Sequence, residues 1–285
     1  IAIVSEHANP LAALGGVDAG GQNLHVAELA AALARRGHDV TVYSRRDAPD
    51  VPDTVRDGYR VVHVPAGPAK PVPKDDLPPY MAEFSRFLRT RWTVEPPDVV
   101  HAHFWMSGMA SLPAARAVGV PLVQTFHALG VVKRRHQGAD DTSPPQRIGT
   151  EAMLAREVDR IAATCSDEVF ELARMGVRRD RISVVPCGVN AAQFTPGDGL
   201  VPGRIVSVGR LVPRKGFETA IEALASLPGA ELLIAGGAST LDDDAHAASL
   251  RSFAEDRGVA DRVRLLGGVS RVDMPALLRS AEAVV

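Results

Sequence analysis

The sequence predicts an α/β protein of two domains, each built around a parallel β-sheet. Short apolar runs alternate with helix-like patterns along the whole chain, which is typical of βα units. The length of 285 residues exceeds the usual size of a single domain. Residues 186–203 are rich in proline and glycine and have no periodicity, so a boundary falls near residue 190. We therefore expect domains at 1–190 and 191–285, with their sheets facing each other across a cleft.

Composition argues against several classes of protein. The formal net charge of −2 argues against a general nucleic-acid binder and against a protein that coats membrane surfaces. No apolar run approaches the roughly 20 residues that a membrane-spanning helix needs. Cys165 and Cys187 offer neither a disulfide framework nor the spacing of metal ligands, so we expect a cytoplasmic protein. These features leave the oligomeric state open.

The first domain opens with a strand, a glycine-rich loop and a helix. Residues 1–5 are nearly all apolar, residues 15–21 contain four glycines, and the apolar side chains that follow recur with helical spacing until Gly37. A glycine loop before a helix N-terminus can hold an anion, although a merely flexible loop is the alternative. Gln22 and Asn23 stand where a P-loop needs Lys and Ser or Thr, and the G-x-G-x-x-G spacing is absent. We therefore expect neither an NTPase nor a dehydrogenase.

The rest of the first domain repeats the alternation of strands and helices. Strands are predicted at 39–43, 59–64, 98–103, 121–126, 160–164 and 182–185, and helices at 80–92, 105–118 and 167–175, with one more opening at 143–145. Lys70 and Lys74 lie in a proline-rich segment that reads as a surface loop. The basic run at 133–136 is also expected to be a loop, and Arg147 is expected on the helix that follows.

Two histidines end the predicted strand at 98–103. Alternation along a strand places His101 and His103 on one face, at the edge where ligands bind in open α/β sheets. Two histidines at i and i+2 could bind a metal ion, but no third ligand has a suitable spacing. We therefore expect no metal site.

The second domain restarts the pattern and carries a basic turn. Strands are predicted at 204–208, 231–235 and 263–266, helices at 217–227, up to 256 and at 272–280, and residues 283–285 read as the start of a fourth strand. The turn at 209–216 joins a strand to a helix start and contains Arg210 and Lys215. A planar guanidinium, an ammonium and free helix N–H groups together suit two linked phosphates. A solvated basic loop is the alternative.

Five motifs together resemble one family. They are Gly20-Gly21-Gln22-Asn23, His101-Ala102-His103-Phe104-Trp105, Thr125-Phe126-His127, Val185-Pro186-Cys187-Gly188-Val189, and Gly209-Arg210-Leu211 with Arg214-Lys215-Gly216. In this order and spacing the chain resembles the GT-B-fold glycosyltransferases of family 4, near the sucrose synthase, sucrose-phosphate synthase and mycothiol glycosyltransferase branch. The resemblance covers essentially the whole chain. It implies two Rossmann-like domains, an acceptor-side one at 1–190 and a nucleotide-sugar-binding one at 191–285.

The resemblance implies roles for the donor side. Arg210 and Lys215 would hold the donor diphosphate, helped by the backbone of Gly20 and Gly21, and Val269 would lie against the nucleotide base. His127 would contact the donor sugar near the reacting carbon and is the expected catalytic residue. The family retains the anomeric configuration and needs no metal, so the resemblance implies a nucleoside-diphosphate sugar as donor substrate and no separate cofactor.

The acceptor side departs from the family in two positions. The resemblance implies that Asn23, Lys74 and Arg147 bind the acceptor. Relatives that use phosphorylated acceptors carry hydroxyl side chains where this chain has Phe104 and Ala128. We therefore expect a small sugar or polyol as acceptor, and its phosphorylation stays open.

The resemblance implies that the chain is a retaining, metal-independent glycosyltransferase. The alternatives are a nucleotide-sugar epimerase or hydrolase on the same fold, and a non-catalytic nucleotide-sugar-binding fragment. The second sheet has only the start of a fourth strand at residues 283–285, so this domain is expected to be incomplete. The 285-residue chain alone is accordingly expected to bind nucleotide weakly and to show no turnover.

Overall fold

The computed structural model describes residues 1–12, 20–237, 241 and 244–285. It divides into two compact units, the first comprising Ile1–Ala12 with Gly21–Gly188 and the second containing Val189–Val285. Both units are mixtures of parallel strands and helices, so the predicted α/β class is confirmed. No helix in the described part of the chain is long and apolar enough to cross a membrane.

The first unit is built on one sheet. Its strands in the described residues are β1 (Ala2–Val4), β2 (Thr41–Arg45), β3 (Thr54–Arg56), β4 (Tyr59–Val64), β5 (Val100–His103), β6 (Leu122–Thr125), β7 (Arg160–Ala163) and β8 (Ile182–Val184). They lie in the order β3-β4-β2-β1-β5-β6-β7-β8, and every pair is parallel except β3 with β4. The carboxyl ends of β1, β5 and β6 are therefore neighbours at one edge.

Helices cover both faces of this sheet. They are α1 (Gly21–Arg35), α2 (Met81–Val94), α3 (Trp105–Val118), α4 (Gly130–Gln137), α5 (Arg147–Glu157) and α6 (Ser166–Arg174). Side chains of β1 alternate between the two cores, since Ile3 packs with Val26 of α1 whereas Val4 packs with Phe84 of α2 and Leu154 of α5. These side chains are completely or almost completely buried, so both layers fix the strand ends firmly.

The second unit contains a smaller sheet. Its elements are β9 (Arg204–Val208), α7 (Phe217–Leu224), β10 (Glu231–Ala235), α8 (Ala245–Asp256), β11 (Val263–Gly267), α9 (Met274–Arg279) and β12 (Ala283–Val284). The strand order is β11-β10-β9-β12, and all pairs are parallel. Phe217 and Ile221 of α7 and Leu250 of α8 bury against Leu232 and Ile234 of β10. The sheet thus holds the start of α7 directly after the end of β9.

Two local predictions need correction. Residues 133–136 are not a loop but part of α4, where Lys133 pairs with Asp141 at 2.9 Å and Arg135 pairs with Glu171 at 2.9 Å. Such a short, polar helix owes its stability to tertiary contacts, which the local pattern does not reveal. Strand β3 was missed, although it forms a hairpin with β4 through Asp57 and Gly58, both with positive φ.

Candidate active site

Three residues that end or follow strands of the first sheet meet at its carboxyl edge. His7 follows β1, His103 ends β5 and His127 follows β6, and these strands are adjacent. Ligands of open α/β sheets bind at this edge because loops and helix N-termini converge there. The prediction that His101 and His103 share a face is confirmed, since their ring centroids lie 4.1 Å apart.

The centre of the site is a group of neighbouring imidazoles. His103 Nδ1 and His127 Nε2 are 2.9 Å apart, and the two rings are stacked with centroids 5.1 Å apart. His25, on α1, places its ring 5.1 Å from that of His127 and 5.5 Å from that of His103. His101 hydrogen-bonds the Thr125 hydroxyl at 2.8 Å and stands beside His103.

Burial keeps this group uncharged. Desolvation, together with the smaller effect of neighbouring imidazoles, lowers the pKa of His101 to about 4 and that of His127 to about 3. The same causes hold the pKa of His103 well below its usual value, and burial lowers the pKa of His25. At neutral pH the site therefore presents neutral rings, which can share hydrogen bonds but carry no cationic charge.

The site also contains a set of possible metal ligands. One ring nitrogen from each of His25, His103 and His127 lies within 4.8 Å of the others. The sequence offered no third ligand beside the pair at 101 and 103, whereas the structure brings His25 and His127 to His103. Neutral imidazoles are suitable ligands for zinc-like ions, although His103 and His127 also hydrogen-bond each other.

The backbone around the histidines is strained and braced. Phe104 and His127 have φ values of 77° and 61°, which residues other than glycine rarely adopt. The N–H of Phe104 donates to the carbonyl of Thr125 at 2.8 Å, and the buried Gln124 amide donates to the carbonyls of Phe104 and Thr125 at 3.0 and 3.1 Å. These bonds tie the end of β5 to the end of β6, so the surrounding structure sustains the strain.

The Phe104 ring lies close to both cationic residues that are predicted to bind the acceptor. Lys74 Nζ lies 5.8 Å and the Arg147 guanidinium carbon 5.0 Å from the ring centroid, both within cation–π range. The Phe104 ring also meets the His7 ring edge-on at 5.0 Å. Lys74 and Arg147, which are 73 positions apart in the sequence, are thus brought to one aromatic side chain.

Arg147 is almost fully buried and firmly held. Its Nε donates to Glu151 at 2.7 Å, and its two terminal nitrogens donate to the Ser143 hydroxyl at 3.2 Å and to the Ala128 carbonyl at 2.7 Å. Glu151 also accepts the N–H of Gly130 at 2.7 Å, and burial raises the pKa of its carboxyl. Arg147 therefore anchors the loop that follows His127.

Asn23 and Gln22 connect α1 to the same edge. The Asn23 amide donates to the carbonyl of Asn9 at 2.9 Å, and the Asn23 side chain is buried. The Gln22 amide reaches the Ser5 hydroxyl at 3.3 Å and the His103 carbonyl at 3.4 Å. The side chains of this first turn thus hold the helix N-terminus, with Gly21 as its first residue and Gly20 just before it, to β1 and β5. Most of the glycine-rich loop, at 13–19, lies outside the described residues.

His127 lines a cavity of about 480 Å³ in the first unit. This volume suits a small ligand. The cavity is walled by α4, α6 and the loops that precede them, including Ala128, Leu129, Arg135, Thr164, Glu168 and Glu171. The catalytic candidate therefore borders open space instead of lying wholly in the core.

The predicted donor residues lie in the second unit. Arg210 and Lys215 are exposed on the turn after β9, and Gly216, with φ 68°, is the N-cap residue of α7. The aliphatic part of Lys215 passes beside Gly209 at 3.3 Å from where a Cβ would stand. Val269 follows β11 and is half-buried. The turn thus presents two cations beside a helix N-terminus, as predicted from the sequence.

Family models match both units. Residues 19–193 match the model of Glycosyltransferase Family 4, and residues 201–285 match that of Glycosyl transferases group 1. The first match alone spans more than half of the chain. The chain belongs to glycosyltransferase family 4.

Individual relatives agree with this membership. The glycosyltransferase is 38% identical over 303 residues to a D-inositol 3-phosphate glycosyltransferase of Mycolicibacterium smegmatis, a match that covers 100% of this chain and 69% of the relative. Among solved structures, a sucrose-phosphate synthase from Thermosynechococcus elongatus superposes with a TM-score of 0.86 at 26% identity, covering 99% of this chain and 74% of that one. HepE of Anabaena, solved with UDP and glucose, shares the fold with a TM-score of 0.69 at 17% identity, covering 99% and 72%.

The glycosyltransferase also contains site residues that its sequence did not reveal. His25 was missed because a single helical histidine carries no motif, although its place one turn after Gly21 was a usable signal. His7 was missed even though it directly follows β1. It bonds the buried carboxylate of Glu6 at 2.7 Å, and Glu6 in turn is held by the hydroxyl of Ser107.

Proposed function

We propose that the protein is a retaining glycosyltransferase that moves a sugar from a nucleoside-diphosphate sugar to a small sugar or polyol. The observation that carries this proposal is the neutral His127 at the carboxyl edge of the first sheet, bordering a cavity, in a chain that belongs to family 4. A neutral imidazole can hydrogen-bond a sugar hydroxyl without carrying a charge into the site. We assign the acceptor side to residues 1–190 and the donor side to 191–285.

On the donor side, Arg210 and Lys215 would balance the charge of the leaving group. The bond between the sugar carbon and the phosphate oxygen breaks in the reaction, and its electrons leave with the nucleoside diphosphate. Cations fixed in advance stabilise that developing charge most in the transition state. The N-terminal N–H groups of α7 and of α1, at Gly20 and Gly21, would add to this field. Val269 would support the base.

On the acceptor side, Lys74 and Arg147 would bind the acceptor beside Phe104, with Asn23 at the start of α1. The relative from Mycolicibacterium smegmatis is named for an inositol phosphate, a phosphorylated polyol. Here Phe104 offers no hydroxyl at its position, and Ala128 offers none either. We infer either an unphosphorylated acceptor or a phosphorylated one whose binding depends strongly on salt, because charge alone then carries the phosphate.

We further propose that turnover needs no metal ion. A hydrogen bond joins two of the three candidate imidazoles, so a metal ion that took either bonded nitrogen would have to displace the shared proton. The alternatives of an epimerase or hydrolase remain, because both would use the same donor contacts. Epimerisation and hydrolysis differ from transfer in requiring no acceptor.

A substrate panel tests the proposal. UDP-, ADP- and GDP-linked hexoses and N-acetylhexosamines are incubated with the protein expressed from its own gene, with and without D-fructose, D-glucose, myo-inositol or their monophosphates. We expect a new glycoside of retained anomeric configuration, formed only with an acceptor and equally fast in EDTA. Loss of the donor without any acceptor would favour the hydrolase. Interconversion of donors would favour the epimerase, and nucleotide binding without any conversion would favour the non-catalytic alternative.

A further inference from the structure

The hydrogen bond between His103 and His127 has a direction that burial determines. His103 is completely buried, and its Nε2 has no hydrogen-bond partner among the described residues. If His127 donated its proton, the buried Nε2 of His103 would carry an unsatisfied N–H. If His103 donates from Nδ1 instead, its Nε2 is a bare lone pair. Orphaned buried N–H groups are rarer and more costly than unused acceptors, so His103 is the donor.

This direction fixes the proton of His127. A neutral imidazole carries one proton, and the bond at 2.9 Å uses the Nε2 lone pair of His127. The remaining nitrogen, Nδ1, must then bear the hydrogen. His127 consequently offers one N–H donor and no free lone pair, which suits contact with a hydroxyl oxygen and excludes a role as a base.

The neighbours of His103 maintain the arrangement. His101 bonds the Thr125 hydroxyl through Nε2, and that hydroxyl donates to the Ala162 carbonyl at 3.1 Å, so His101 does not compete for His127. His103 is the last residue of β5, and its carbonyl lies 3.4 Å from the Gln22 amide. The backbone of His103 is thus held by β5 and by the Gln22 side chain of α1.

The backbone of His127 makes such support necessary. Its φ of 61° lies in the left-handed region, which a histidine side chain does not favour. A side chain on a strained loop that borders a cavity can take several orientations unless a contact selects one of them. The stacked, hydrogen-bonded ring of His103 supplies that contact.

We propose that His103 is a positioning residue, which holds His127 in the Nδ1–H form with its N–H available to a hydroxyl of the sugar being transferred. This inference rests on the proposed glycosyl transfer. It assigns a function to the second histidine of the strand end, which the donor and acceptor roles above leave unused. His25 lies beside both rings and completes the wall around the pair.

The test uses two variants of similar shape. His103→Asn keeps an N–H donor close to the position of Nδ1, whereas His103→Leu has nearly the same outline and no donor. We expect His103→Leu to lower kcat by at least about tenfold, the scale of a misplaced catalytic group, and His103→Asn to lower it much less. If the ring only fills space, Leu will be tolerated at least as well as Asn. His38→Asn, at an exposed histidine, controls for generic effects.

A spectroscopic measurement shows directly which ring nitrogen of His127 carries the proton. Long-range ¹H–¹⁵N correlation on histidine-labelled protein should show His127 protonated at Nδ1 in the wild type and a changed Nε2 shift in His103→Leu, which packing alone would not produce. Urea denaturation should give a cooperative transition for wild type and for both variants, which checks that the unit containing His103 is folded.

The outcomes separate the two proposals. Wild-type protein that transfers to no acceptor of the panel overturns the proposed function and this role with it. Wild-type transfer combined with equal loss in the Asn and Leu variants, or with a His127 protonated at Nε2, overturns the positioning role alone.

Discussion

At the scale of single residues, the two units differ in charge: the second presents exposed cations, whereas the histidine group of the first is neutral. Arg210 and Lys215 are exposed cations on the turn that follows β9. In the first unit His101, His103 and His127 lie beside one another, and burial keeps them neutral. Fixed cations and neutral hydrogen-bonding rings suit the leaving phosphate and the sugar hydroxyls respectively.

The first residue-scale prediction concerns the diphosphate. Arg210→Ala or Lys215→Ala should weaken binding of the nucleoside diphosphate by roughly 1.5–3 kcal/mol, the scale of hydrogen bonds to charged groups. Arg210→Lys should not restore affinity if the guanidinium binds two oxygens as a fork. Titration calorimetry measures the effect, with Arg214→Ala in the same turn as the matched control. Unchanged affinity in both Ala variants would exclude the assignment.

The second residue-scale prediction concerns the acceptor. Phe104→Tyr adds a hydroxyl to the ring that faces Lys74 and Arg147. We expect the ratio of kcat/KM for a phosphorylated acceptor to that for its dephosphorylated form to rise by about 5-fold or more, since one good hydrogen bond contributes about 1 kcal/mol or more. The same variant should reduce the salt dependence of the ratio. A ratio that stays constant between low and high salt in both proteins would contradict a charge-only phosphate site.

At the scale of secondary-structure elements, the sequence predicted the ends of strands better than it predicted which other segments lie beside them. Periodicity and alternation located β4, β9 and β10 to the residue and placed His101 and His103 on one face. The short helix α4 was hidden because its stabilising partners, Asp141 and Glu171, lie elsewhere in the chain. His25 was hidden for the same reason, since the rings beside it, those of His103 and His127, lie elsewhere in the chain.

The element-scale prediction concerns the turn that presents Arg210. A Cβ on Gly236 would overlap the carbonyl oxygen of Gly209, whose N–H donates to the Ala235 carbonyl at 2.9 Å. Gly236→Ala must therefore push the end of β10 away from the turn after β9. We expect a loss of stability of at least about 2 kcal/mol, on the scale of core overpacking, together with weaker nucleoside diphosphate binding.

The control for that variant is Gly229→Ala. Gly229 also has a positive φ, of 84°, but an added Cβ there would meet nothing within 4 Å. Its cost should be limited to backbone strain of about 1 kcal/mol, without any change in nucleotide affinity. Chemical denaturation and calorimetry measure both quantities. Equal effects of the two variants on affinity would show that the close approach at Gly236 does not shape the turn.

At the scale of the whole chain, the α/β class and the family followed from the sequence, because βα alternation and five ordered motifs are global signals. The protonation pattern of the site could not be predicted in this way. A histidine's pKa depends on how many side chains surround it, and the sequence does not state which of the nine histidines share a core. The structure places His25, His101, His103 and His127 in one cluster. This cluster makes the stability of the protein depend on pH.

This grouping predicts an acid-sensitive fold. Burial lowers the pKa of His101 to about 4 and that of His127 to about 3, whereas a histidine of the unfolded chain titrates near 6.5. Between about pH 6.5 and pH 4 the unfolded state therefore binds more protons than the folded state. The free energy of unfolding consequently falls as the pH is lowered through this window, by up to about 1.4 kcal/mol per pH unit for each such histidine.

Urea denaturation at pH 7.5, 6.5, 5.5 and 5.0 measures this slope, and His101→Gln isolates one histidine. The variant removes a titrating ring while its amide can still reach the Thr125 hydroxyl, so its stability should depend less steeply on pH than that of the wild type. Glu151, whose pKa burial raises, acts in the opposite direction, but it contributes equally to both proteins and cancels in the comparison. Parallel slopes in the two proteins would mean that His101 is solvated in the folded state, because only a buried imidazole resists the proton that its unfolded counterpart accepts.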